Sequence, residues 1–168
     1  MAEATGRLER TERGIDLVLV RSLALSAEEA WAYLTESELT ERWFGPWEGD
    51  ARAGGSVRIR MRFEAGEPPI AARIAGCVPP GADGHGRFEL RTSDEYGDWR
   101  LTLEVAEDGG SDSLVTFTHH LDDASGVGEI GPGWEYYLDL LVAATEGAEE
   151  PMFHDYEPLG EAYAALRA

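Results

Sequence analysis

Few residues of this chain carry chemistry. His119-His120 is followed closely by Asp122-Asp123, a grouping that looks at first like a metal cluster. Neighbouring side chains on a β-strand point to opposite faces, so the two imidazoles cannot share one ion, and no metal site is expected. The alternation across residues 113–121 turns His119 inward with Val115, Phe117 and Leu121, and His120 outward. An inward imidazole is a core histidine satisfied by a backbone or hydroxyl partner, a polar anchor for a ligand, or a lone general acid–base. General acid–base work needs a second positioned group. No Asp or Glu of the neighbouring strands shares the inward face, which leaves Tyr33, Thr92 and Tyr137 as polar candidates.

The remaining reactive side chains add little. His85 falls in the turn at 82–86, and His154 stands beside Asp155 with no partner at ligand spacing. Cys77 alternates onto the face opposite Ile70, Ala72, Ile74 and Gly76 and reads as a small inert residue. As the single cysteine it excludes an internal disulfide and a Cys-based zinc cluster. There is no GxSxG, GxGxxG or HExxH, and the absence of Lys excludes Schiff-base chemistry and a Walker-type phosphate loop. No catalytic residue and no cofactor are expected.

The elements that must position these residues follow from patterning. Residues 15–25 (IDLVLVRSLAL) read as a strand with Ile15, Leu17, Leu19, Leu23 and Leu25 on one face and Arg21 as the exception. Ser26 and Glu29 form a capping box that opens a short helix bearing Ala27, Ala30, Trp31 and Leu34. Thr35 or Ser37 caps a second short helix with Leu39 and Trp43, stopped by Gly45-Pro46. Strands are then expected at 47–52, 57–64, 70–78, 87–92, 99–106 and 113–121, each closed by turn residues, which implies an antiparallel meander. A long amphipathic helix starts at Pro132 and ends at Gly147. It carries Trp134, Tyr137, Leu138 and Leu141 on one face, with Glu135, Asp139 and Glu146 opposite. The tail adds a last helix with Leu159, Ala162, Tyr163 and Leu166 as its stripe. Residues 1–14 are frayed or an edge extension.

The strands place large apolar side chains on one sheet face. Arg and Glu on the other can pair across strands for roughly 0.2–1 kcal/mol each. The fold class is therefore α+β, a curved antiparallel sheet covered by one long helix. The side chains turned inward are a packed core, or line a cavity left because one helix cannot fill a curved sheet. If a cavity, its lining is Trp43, Met61, Phe63, Phe88, Trp99, Phe117, His119, Trp134, Tyr137 and Leu141.

The 168 residues make one domain, and 14 Arg against 33 acids give a net charge of −19. That balance argues against nucleic acid and anionic membrane surfaces as partners. No apolar signal core opens the chain and no long apolar run follows, so a cytoplasmic location without membrane insertion is expected.

Four segments together resemble a known family. They are residues 25–47 (LSAEEAWAYLTESELTERWFGPW), Asp50-Ala51-Arg52-Ala53-Gly54-Gly55, Thr116-Phe117-Thr118-His119-His120, and 133–141 (GWEYYLDLL). Their order is similar to that in proteins like the activator of the 90-kDa heat-shock protein ATPase, within the START-like (SRPBCC) superfamily. The resemblance implies a helix-grip fold over residues 15–149, after a flexible segment 1–14 and before a helical extension 150–168. It implies a binder of an apolar or amphipathic, lipid-like small molecule, with a co-chaperone or other protein-interaction module and a polyketide-cyclase- or hydrolase-like enzyme using His119 as alternatives. A homodimer through the tail is a further expectation. The absence of Lys weakens the chaperone reading, because such a surface would use basic contacts. The long 79–86 connection stands near the expected cavity mouth.

Overall fold

The computed structural model describes residues 2–62, 69–94 and 97–168. The period-two pattern becomes one open antiparallel sheet. Its strands are β1 (Arg7–Arg10), β2 (Ile15–Leu23), β3 (Trp47–Gly49), β4 (Ser56–Ile59), β5 (Ile70–Val78), β6 (His85–Asp94), β7 (Gly97–Asp108) and β8 (Asp112–Leu121). The spatial order is β1-β2-β8-β7-β6-β5-β4-β3, so the meander β3 to β8 closes back on β2. Residues 7–10 form the edge strand β1, paired with β2 from Arg7↔Val18 to Arg10↔Ile15.

Between β2 and β3 lie the short helices α1 (Ala27–Thr35) and α2 (Ser37–Thr40). The capping box forms as read: Glu29 N–H donates to Ser26 Oγ (3.2 Å) and Ser26 N–H to Glu29 Oε1 (3.3 Å). Ser37 caps nothing. Its hydroxyl donates to the Trp47 carbonyl (2.8 Å) and accepts from Trp47 N–H (2.9 Å), tying α2 to β3. β4 ends earlier than expected, but Arg60 N–H still reaches the Pro46 carbonyl and Arg62 N–H the Phe44 carbonyl, both at 3.0 Å.

The long helix α3 spans Val127–Glu146 and starts five residues before Pro132, which therefore lies inside it. Pro132 lies past the first turn, so the helix forgoes the hydrogen bond that residue 132 would donate to the Gly128 carbonyl. Gly147 ends α3 in the left-handed conformation (φ 64°) and donates to the Ala143 carbonyl. Two 3₁₀ turns (Phe153–Asp155 and Glu157–Leu159) and the short α4 (Gly160–Ala164) complete the chain.

The core lies between the sheet and α1 and α3. Leu17, Leu19, Ile74, Val105, Leu138 and Leu141 are among its deepest side chains. Burying each such side chain contributes about 1.5–3 kcal/mol. The far side of α3 differs from expectation. Glu135, read as a solvent-facing residue, is fully buried because the C-terminal tail lies over it. It holds Arg21 (Nη2–Oε2, 2.5 Å), the Thr5 hydroxyl and backbone N–H, and the Tyr163 hydroxyl. Arg21 also reaches Asp139 (2.9 Å), whose other oxygen accepts from Tyr156 Oη at 2.6 Å. Burial, then the carboxylates they serve, raise the pKa of both tyrosines. Arg21, out of place in an apolar strand pattern, is thus the partner of a buried carboxylate.

A β-bulge between Ile74 and Gly76 overturns the reading of Cys77. The extra residue shifts the parity of β5, so Cys77 pairs with Phe88 and packs against the core. Desolvation there raises the thiol pKa.

Candidate functional site

His119 reaches the apolar face from the middle of the sheet, between β2 and β7 (Leu17↔His119 and Leu101↔His119). It is 2% exposed. Burial, helped by His120 and Arg100, lowers its pKa to about 4, so the ring is neutral at physiological pH. Trp134 of α3 donates its indole N–H to His119 Nδ1 at 3.1 Å. Because Nδ1 accepts, the ring proton sits on Nε2. His119 belongs to the wall of a pocket of about 150 Å³ lined also by Met61, Trp99, Glu129, Trp134 and Tyr137.

On the other side of Trp134 lies an apolar cavity of about 40 Å³ between sheet, α2 and α3. Trp43, Phe44, Phe88, Phe117 and Trp134 supply its aromatic walls. Trp134 is common to both spaces. Its ring stacks on Phe44 (6.1 Å, 12°), touches Phe117 (4.5 Å) and meets Trp99 edge-on (5.6 Å). Such aromatic pairs contribute about 0.5–1.5 kcal/mol beyond area burial.

The expected lining residues divide accordingly. Met61, Trp99, His119 and Tyr137 surround the larger of the two spaces, and Trp43, Phe88 and Phe117 the smaller, with Trp134 between. Trp43 also donates its indole N–H to the Tyr33 carbonyl (2.7 Å). Leu141 is fully buried in the core and lines neither space. Phe63 lies outside the described residues. Among the wall residues outside the expected lining, Phe44 and Glu129 stand out. Phe44 sits in the irregular link before β3, where no periodicity assigns a face. Glu129 belongs to the first turn of α3, in residues read as loop. Thr92, weighed as a partner for His119, instead accepts from Trp99 N–H (3.0 Å). Among the described residues no three His, Cys, Asp or Glu side chains come together as a metal-ligand set.

With this geometry in view, the sequence matches the profile of the family described as activator of Hsp90 ATPase homolog 1-like protein, over residues 24–146. The chain belongs to the AHSA1 family. As an AHSA1-family protein it is similar to the crystal structure of CalU16 from Micromonospora echinospora, at 25% identity and TM-score 0.75, covering 98% of this chain and 97% of that one. It is also similar to DynU16, a protein of the dynemicin biosynthetic locus, at 17% identity and TM-score 0.68 over 82% of this chain and 50% of that one. A third neighbour is the Aha1 dimer from Colwellia psychrerythraea, at 15% identity and TM-score 0.61 over 78% and 96%. At the last two identities the likeness shows the fold alone, the START-like helix grip. No curated protein matches the sequence. No helix among the described residues is long and apolar enough to cross a membrane.

Proposed function

We propose that this AHSA1-family protein binds a small apolar or amphipathic molecule without catalysing its conversion. The observation that carries the reading is His119: a neutral ring, fixed at Nδ1 by Trp134, on the wall of an aromatic-lined pocket of about 150 Å³. With Nδ1 occupied, Nε2 is the ring atom left to donate to a ligand. The neutral ring favours an uncharged acceptor, a carbonyl, ether or hydroxyl oxygen, on a molecule that packs against the Trp99 and Trp134 rings. The smaller cavity of about 40 Å³ has room for no more than small-molecule fragments or water. Drug-sized ligands occupy roughly 300–1,000 Å³, so a lipid-length chain requires Trp134 to swing aside and join the two spaces.

Native mass spectrometry and tryptophan fluorescence with a panel of fatty acids, phenols and quinones test this. Binding that quenches emission and weakens in His119→Gln supports it; no binding by any class refutes it. A second reading, a hydrolase- or cyclase-like enzyme, has one observation in its favour. Glu129 lines the same pocket as His119 and would supply the second acid–base group. It predicts turnover that both His119→Gln and Glu129→Gln abolish.

A further inference from the structure

The outer face of the sheet, opposite the one that carries the His119 pocket, has a second feature. Antiparallel register sets Arg73 of β5 opposite Arg91 of β6, and Arg91 opposite Arg100 of β7. The Leu101↔His119 pairing then brings Arg100 beside His120 of β8. Three arginines and a histidine thus stand in one row across four neighbouring strands, about 5 Å apart by strand spacing. Like charges directly opposite one another in a sheet are destabilising. The chain has acids enough to avoid this, with 33 Asp and Glu. The adjacent rows are complementary: Arg87 binds Glu89 (2.8 Å) and also Glu104. Among the described residues Arg73 and Arg91 have no acidic partner, and Arg100 meets only the exposed Asp122 (2.9 Å). Arg91 and Arg100 line a pocket of about 400 Å³ with Arg13, Arg87, Thr102 and His120.

His120 is held at both nitrogens, Nδ1 to Asp16 Oδ1 and Nε2 to Thr102 Oγ1, each at 2.8 Å. Glu12, Asp16 and Glu89 border the same pocket. Asp16 is engaged by His120, Glu89 by Arg87 and Asp122 by Arg100, so among the described residues Arg13 and Arg91 are the pocket's arginines without an acidic partner. The acidic rim and the net charge of −19 repel an extended polyanion and leave entry to a compact one.

We infer that the Arg91–Arg100 pair forms a binding site for a small multivalent oxyanion, a polycarboxylate or a phosphate, on the outer face of the sheet. Guanidinium groups suit both, because their planar fork matches carboxylate and phosphate oxygens in pairs. The site is separate from the apolar pocket, and its test does not depend on that pocket's ligand.

The experiment is calorimetric titration of the full chain at low ionic strength with inorganic phosphate and with citrate, against chloride at matched ionic strength. Thermal unfolding is followed in parallel. The proteins are wild type, Arg91→Gln, Arg100→Gln, and Arg52→Gln as a charge-matched change away from the pocket. Wild type is expected to bind at least one of the two anions, citrate alone marking a carboxylate site and phosphate alone a phosphate site. Each pocket substitution should weaken binding about tenfold, and Arg52→Gln should not. In chloride, Arg91→Gln should unfold at a higher temperature than wild type, because the repulsion in the row is relieved. Failure of both anions to bind, or affinity unchanged in both pocket variants, overturns the inference. So does an Arg91→Gln protein that is folded yet less stable than wild type in chloride.

Discussion

Acidification tests the buried state of His119 directly. Its pKa is about 4 in the folded protein and 6.5 when unperturbed. Above pH 6.5 the ring is neutral in both folded and unfolded chains, and the full stability is present. Between pH 6.5 and about 4 the unfolded chain takes up the proton and the folded one does not, so stability falls as pH falls. At about 1.4 kcal/mol per pH unit, the whole interval costs about 3 kcal/mol, levelling off below pH 4. Carboxylates titrate over part of the same range. The clean quantity is therefore the difference between wild type and His119→Gln, whose amide oxygen can still accept from Trp134 but does not titrate. Urea unfolding at half-unit steps from pH 4 to 7.5 measures it. Wild type should lose about 3 kcal/mol more than the variant. Parallel curves for the two proteins would show that His119 is not held neutral by burial, and the donor role assigned to Nε2 would fall with it.

Three further outcomes follow from the packing. Trp134→Ala should destabilise by about 3–5 kcal/mol in urea unfolding and, by joining the two spaces, create an apolar void that takes up toluene, seen by NMR. Tyr163→Phe removes a donor to buried Glu135 and an acceptor for Gly6 N–H (3.0 Å), and should cost about 2–3 kcal/mol by the same assay. Gly131→Ala would put a Cβ 2.4 Å from the Tyr163 ring, so the tail should lift and limited proteolysis within residues 150–168 should accelerate.

Much of the fold was legible because its rules are local. The Ser26–Glu29 capping box needs four residues of sequence, and the Gly147 cap needs one. The alternation in 113–121 turned Val115, Phe117 and His119 inward wherever the strand was placed. The resemblance carried by residues 25–47 and 133–141 then ordered these pieces as a helix grip. Most of the candidate lining was legible for the same reason, since an inward-facing aromatic is visible from parity. Parity failed at Cys77, where one bulged residue inverts it and the isolated Gly76 was the local sign of the bulge.

What the sequence determined by itself was which side chains share a face. What the tertiary structure decided was which faces meet. Leu141 and Phe117 share the inward class, yet only Phe117 borders a void, because α3 presses Leu141 into the sheet. Glu135 reads as a solvated helix residue until the tail folds over it and Arg21 arrives from β2. The Arg73–Arg91–Arg100 row exists only through the register of three strands, and the Trp134–His119 bond only through the seat of α3 on the sheet. Each joins residues far apart in the chain, and such contacts are set by the packing of whole elements, which no window of neighbouring residues contains.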